Sequence, residues 1–223
     1  MITPFEIPCV ILSGGKSSRM GEDKSLLPFS TSKTLIEYQY KRLKPYFKDI
    51  YISSKIDKFD FLEKEFLILD ENKDVFSPIL ALNTIFNKFP NQKVFIITVD
   101  TPFVLIETIT ELINQSLDVD ICIGETQEKT HNLCGVFSSN INSFIKDMIE
   151  NDIHKIFYLI KNSSYKIIQF NNNDEFININ NKDEYIKSIN IINILMFNIS
   201  IKPDDISSLL SFFSYSSIIS VYK

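Results

Sequence analysis

Residues 9–24 read "CVILSGGKSSRMGEDK". The opening four are apolar without alternation, as in a strand covered on both faces. The long turn that follows carries three of the chain's five glycines, Gly14, Gly15 and Gly21, among the cations Lys16, Arg19 and Lys24. A Walker A loop needs a glycine five positions before the glycine of Gly-Lys, and that position is Val10. A dinucleotide fingerprint needs G-x-G-x-x-G, which these glycines do not supply. What remains is a glycine turn closing a buried strand. Adjacent glycines let backbone approach a flat or anionic ligand and permit positive φ, and successive amides can form a concave anion site. Arg19 offers a fork for phosphate oxygens, Lys24 a compact mobile charge. Glu22 and Asp23 lie in the same stretch, so the cations are offset to a local charge of about +1 and placement must matter more than bulk charge.

Outward from this turn, "CVILS" (9–13), "DIYISS" (49–54), "FLILD" (66–70), "KVFIITVD" (93–100), "DVDICIG" (118–124) and "LCGVFS" (133–138) read as strands. Between them, 33–46, 77–88 and 104–116 carry helical spacing of apolar residues. Such alternation predicts an α/β fold, a Rossmann-like three-layer sandwich with a mostly parallel central sheet. No linker divides residues 1–190, which are expected to form one domain. Residues 191–223 are expected to be an extension of unassigned role. In it "IINILMFNISI" would add a strand, Pro203 would break it, and Ile206, Leu209, Leu210 and Phe213 have helical spacing. Packing on the sheet or self-association is the expected use of this extension; a docking element for a cofactor-delivery protein or a membrane surface is the alternative.

The chain has 223 residues, 44% of them hydrophobic, and a formal net charge of −5. That balance disfavours nucleic acid as a partner. Cys9, Cys122 and Cys134 lie in or beside apolar runs without metal-type spacing and read as reduced, buried thiols. The first residues lack the basic region of a secretory signal, and no stretch reaches the roughly twenty apolar residues that span a bilayer. The expectation is a cytoplasmic protein, monomer or homo-oligomer, without a membrane partner.

In parallel sheets ligands bind beyond the carboxyl ends of the strands. The residues there are the 13–24 turn, Ser53 and Ser54, Asp70, and Asp100. Asp100 ends the most hydrophobic strand and either caps the helix expected from 104 or holds a metal. Asp70 is either a turn residue or an acceptor for a ligand.

The stretch "LSGGKSSRMGEDK" resembles the signature of nucleoside-triphosphate-dependent nucleotidyltransferases with a Rossmann-like fold. With "RMG" followed by "DK", it is most similar to the molybdenum cofactor guanylyltransferases. Related cytidylyltransferases usually show Pro-Lys where this chain has Asp23-Lys24. "LILDEN" (67–72), "SPILAL" (77–82), "TVDTPF" (98–103) and "FININNKDEY" (176–185) resemble further segments of the family, in its order, over roughly residues 7 to 190. The resemblance implies transfer of GMP from GTP to the terminal phosphate of Mo-molybdopterin, with pyrophosphate released and Mg2+ as cofactor. It implies that Leu12, Ser13 and Gly14 face the base through backbone groups. Ser13, Gly14 and Gly15 would cradle the nucleotide, and Arg19 and Lys24 would stabilise its α- and β-phosphates. Asp100 would bind the metal. Asp70 falls where the family has a GTP-contacting aspartate, and Ser53 where it often has asparagine. Asn178 and Asn180 would hold the second substrate or help coordinate metal, the alternative being an Asn-rich turn before a helix. Ser77 and Ala81 replace family glycines, and Lys182 stands where Thr-Pro is expected. A related enzyme with another base or acceptor, such as a cytidylyltransferase, and a non-catalytic nucleotide-binding protein remain the alternatives.

Overall fold

The computed structural model describes residues 3–15, 20–71 and 75–199. Seven strands, β1 (Cys9–Leu12), β2 (Ile50–Ser54), β3 (Leu67–Leu69), β4 (Lys93–Thr98), β5 (Ile121–Glu125), β6 (Thr130–Ser138) and β7 (Tyr165–Gln169), form one sheet in the order β3-β2-β1-β4-β6-β5-β7. β6 runs antiparallel to its neighbours β4 and β5; the other pairings are parallel. The helices are α1 (Leu35–Leu43), α2 (Pro78–Lys88), α3 (Ile106–Asn114), α4 (Asn142–Glu150), α5 (Ile156–Lys161) and α6 (Lys182–Ile199).

Strand alternation sorts the helices into two layers. Cys9 and Ile11 point into a core shared with Leu35, Ile36 and Leu43 of α1, Ile109 and Leu112 of α3, and Ile191, Ile192 and Leu195 of α6. Val10 and Leu12 point into the opposite core, filled by Ile79, Leu82, Ile85 and Phe86 of α2, Ile145 and Met148 of α4, and Leu159 and Ile160 of α5. The three-layer α/β sandwich expected from the run of elements is the observed one.

Local chemistry places the helix ends. Thr34 caps α1 by accepting from the Glu37 amide at 3.2 Å, while the Glu37 carboxylate accepts from the Lys33 amide at 2.9 Å, the reciprocal exchange of a capping box shifted by one residue. Ser77 caps α2, with Pro78 in the first turn where its missing N–H costs nothing. α6 begins after Asn181, whose Oδ1 accepts from the Glu184 amide at 2.9 Å; Glu184 in turn accepts from the Asn180 amide at 2.6 Å.

Residues 191–199, expected as an extra strand, continue α6 instead. A contiguous apolar run does not by itself separate strand from buried helix, and the capped start at Asn181 settles the matter. α6 is unbroken through position 190. Ile206, Leu209, Leu210 and Phe213 lie outside the described residues, as does the rest of the chain from 200. Among the described residues no helix is long and apolar enough to cross a membrane.

Candidate active site

The strand order places β2 and β3 on one side of β1 and β4 on the other, so the chain changes direction across the sheet at the carboxyl end of β1. Crevices open at such switch points. Backbone bonds tie the neighbouring exits together: the Ser13 amide donates to the Ser53 carbonyl at 2.8 Å, Val99 to Leu12 at 3.0 Å, and Asp70 to Ser54 at 2.9 Å. Above them lies a cavity of about 390 Å³, lined by Leu12, Gly14, Gly15, Lys24, Ser53, Asp70 and Asp100, together with Lys55, Phe76 and Ser77 among others. Seven of the sequence-predicted residues thus share one wall system.

Gly14 and Gly15 leave the cavity open: a Cβ on Gly14 would come to 3.8 Å from Asp70 Oδ2, and one on Gly15 would meet nothing within 4 Å. The positive φ expected of the glycine pair is found at Gly21 instead, at 74°. Ser13 is buried and its Oγ lacks a hydrogen-bond partner among the described residues. Lys16 and Arg19 fall outside those residues.

Lys24 is delivered by a short 3-10 turn, Lys24–Leu26, that Asp23 caps. Asp23 Oδ1 accepts from the Ser25 amide at 3.0 Å and the Ser25 hydroxyl at 2.7 Å, and Oδ2 pairs with Lys58. Burial works to raise the Asp23 carboxyl, but the bonds from Lys58 and Ser25 outweigh it and hold the group below the usual carboxylate range. Lys24 Nζ reaches Asp100 Oδ2 at 2.5 Å and the Ile179 carbonyl at 3.3 Å.

Asp100 does not cap α3. That helix starts at Ile106, and the Leu105 amide at its head donates to Glu175 Oε2 at 3.0 Å. Asp100 Oδ1 is buried without a hydrogen-bond partner among the described residues, as is Asn178 Oδ1. The Ile179 amide donates to the Asp100 carbonyl at 2.9 Å, so the 178–180 segment runs beside the β4 exit. Asn178 and Asn180 themselves do not line the cavity. The Asn-rich turn before α6 is real, but its cap is Asn181. Among the described residues there is no group of three or more His, Cys, Asp or Glu suited to a metal.

Asp70 lies on the β3 side. Its Oδ1 accepts from Ser53 Oγ at 3.2 Å, and Oδ2 is 3.5 Å from Lys55 Nζ. Burial pushes the Asp70 carboxyl up, and Lys55 and Ser53 offset this only in part. Lys55 also donates to the Val75 carbonyl at 2.6 Å and lies over the Phe76 ring. Lys55 carries no motif; its position one residue past β2 was the available signal. His131 is buried, stacked on Phe176 with centroids 3.9 Å apart, and bonded to Thr126. Cys9, Cys122 and Cys134 are free and buried.

Residues 9–162 match the model of the MobA-like NTP transferase domain. The chain belongs to this family. A molybdenum cofactor guanylyltransferase of Campylobacter jejuni is 36% identical over 174 residues, 77% of this chain and 89% of that protein. One from Helicobacter pylori is 32% identical over 175 residues, 76% of this chain and 85% of that protein. The crystal structure of molybdopterin-guanine dinucleotide biosynthesis protein A from Archaeoglobus fulgidus has the same fold, with a TM-score of 0.71 at 19% identity over 84% of this chain and all of that one.

Proposed function

We propose that this MobA-like chain is a nucleotidyltransferase that moves GMP from GTP to the terminal phosphate of molybdopterin carrying molybdenum. A phosphate oxygen of the acceptor attacks the α-phosphorus, and the bond to the pyrophosphate oxygen breaks. The observation that carries this reading is a single cavity holding the glycine turn, the Lys24–Asp100 pair and the Asp70–Lys55 pair, in a chain whose relatives are named guanylyltransferases.

Two anionic reactants must meet, so neutralising charge and aligning the attack are the main tasks. Leu12, Ser13, Gly14 and Gly15 cradle the nucleotide through backbone groups. Lys24 and Arg19 stabilise the α- and β-phosphates. Asp70, with Ser53 beside it, accepts from the guanine donors or binds the ribose. The buried, unpartnered Asp100 Oδ1 suits a hard dication, which needs one or two protein carboxylates when phosphates and water complete its shell. Mg2+ bound there would offset phosphate charge; Asp100 would hold it, with the Asn178 and Asn180 segment serving the metal or the second substrate. We place the reaction in the cytoplasm, a reading that suits three free thiols, with product passing to a delivery protein.

Pyrophosphate release measured with each nucleoside triphosphate and a molybdopterin acceptor tests this. GTP is expected to support turnover and CTP to fail. Asp100→Ala should abolish turnover while leaving a cooperative unfolding transition, and retained turnover would remove Asp100 from the metal role.

A further inference from the structure

The turn that carries Asp100 rests on buried polar side chains from other elements. Gln39 of α1 is fully buried. Its Nε2 donates to the Thr101 carbonyl at 2.9 Å and the Thr98 carbonyl at 3.4 Å. Its Oε1 accepts from Arg42 Nε at 3.1 Å and Nη2 at 2.8 Å, and Arg42 Nη1 donates to the Val104 carbonyl at 2.5 Å. One turn of α1 therefore grips the 98–104 backbone on both sides of Asp100.

Arg42 is buried, and among the described residues its hydrogen bonds go to an amide oxygen and a backbone carbonyl, with no carboxylate among them. A guanidinium keeps its charge when buried. Placing it in a core without a bonded counter-ion is costly, and apolar residues of similar volume usually stabilise such a site better. Glu175, itself buried, holds the next backbone group, accepting from the Leu105 amide at 3.0 Å. The two buried side chains thus fix consecutive positions, Val104 and Leu105, of the same connection. A core optimised for stability alone has no need of this arrangement; a turn that must present one carboxylate within a fraction of an ångström does.

We propose that Gln39 and Arg42 are positioning residues that hold the 98–104 turn in the conformation in which Asp100 faces the triphosphate. The inference rests on the reading of Asp100 as a reacting-site carboxylate.

Gln39→Glu separates positioning from simple stabilisation. The carboxylate keeps an acceptor for Arg42 and adds a counter-charge, but it loses both amide protons that tether Thr98 and Thr101. The expected variant unfolds at or above the parental midpoint, shows faster amide exchange at Val99, Asp100, Thr101 and Phe103, and has a kcat for GTP-dependent pyrophosphate release lowered about 10- to 100-fold. Its KM for GTP should stay within about twofold, because the Gly14 turn and Asp70 are untouched. Parental kcat in a stably folded Gln39→Glu overturns the inference. If that variant does not fold, Gln39→Met carries the test, since it keeps the bulk and loses the donors, and parental kcat in it is equally fatal. Asp100→Ala run in parallel tells the two failures apart: retained turnover there sinks the Asp100 reading itself.

Discussion

Two aspartates follow strands β3 and β4, on either side of β2 and β1, and are held by different cations, Asp100 by Lys24 and Asp70 by Lys55. The second pairing matters because burial already pushes the Asp70 carboxyl up. Lys55→Met removes the offsetting charge, so the carboxyl rises further and takes up its proton nearer neutrality. The acid limb of kcat/KM for GTP should therefore move to higher pH in this variant. A profile superimposable on the parent's would exclude Lys55 from any such role. His131 titrates the opposite way on folding. Burial, then Lys129, lowers its imidazole from 6.5 to about 4. Between those values the unfolded chain binds a proton that the folded chain refuses, so stability falls as pH drops from 6.5 to 4. Urea midpoints at pH 7 and pH 5 should differ less in His131→Gln than in the parent; equal differences would count against this account. Neither Lys55 nor His131 announces its role in the linear chain. The Lys55–Asp70 contact is a product of β2–β3 register, and the His131 stack needs a residue 45 positions later.

At the scale of elements, β6 shows how one missing side chain sets sheet geometry. A Cβ on Gly135 would lie 2.1 Å from the Cys122 carbonyl oxygen and 2.9 Å from the Ile123 Cα, beside the irregularity in β5 between Ile123 and Gly124. Those are backbone atoms of β5, a strand paired on both sides, which cannot swing aside as a side-chain tip could. Gly135→Ala should therefore destabilise by about 3 kcal/mol, the upper end for overpacking, read as a lower urea midpoint. Strand β1, helix α2 and the Asp100 exit were legible because apolar runs, a Ser-Pro start and a terminal carboxylate are local signals. β7 was not: its Tyr165–Gln169 segment is largely exposed and short, and pairing with β5 is what makes it a strand. α4 and α5 were likewise passed over, since each presents only two core-facing positions, Ile145 and Met148 on α4 and Leu159 and Ile160 on α5.

For the whole molecule, the sheet needs cover on both faces, and α6 supplies part of one. Ile192 on α6 is fully buried in the same core as Cys9 and Ile11. Ile192→Ala should cost about 2–5 kcal/mol of unfolding free energy by denaturant titration. A chain ended at 190 should lose cooperative unfolding altogether, because it strips Ile191, Ile192 and Leu195 from that core at once. A 1–190 fragment with parental stability would instead make residues 191–199 dispensable.

The order of apolar runs and helical stretches was enough by itself to specify a mostly parallel α/β sandwich, because period and burial on both faces are properties of neighbouring residues. The glycine turn, Asp70 and Asp100 could be picked out for the same reason: each follows a strand end, and strand ends are visible in the chain, while Lys24 was marked by the motif at 12–24. What only the tertiary structure decided is which polar groups meet. The Lys24–Asp100 pair spans 76 positions, and the Gln39 bonds to the 98–101 turn span about 60. Such contacts are set by strand order and helix docking. Those depend on the summed packing of two cores and leave no mark at either residue.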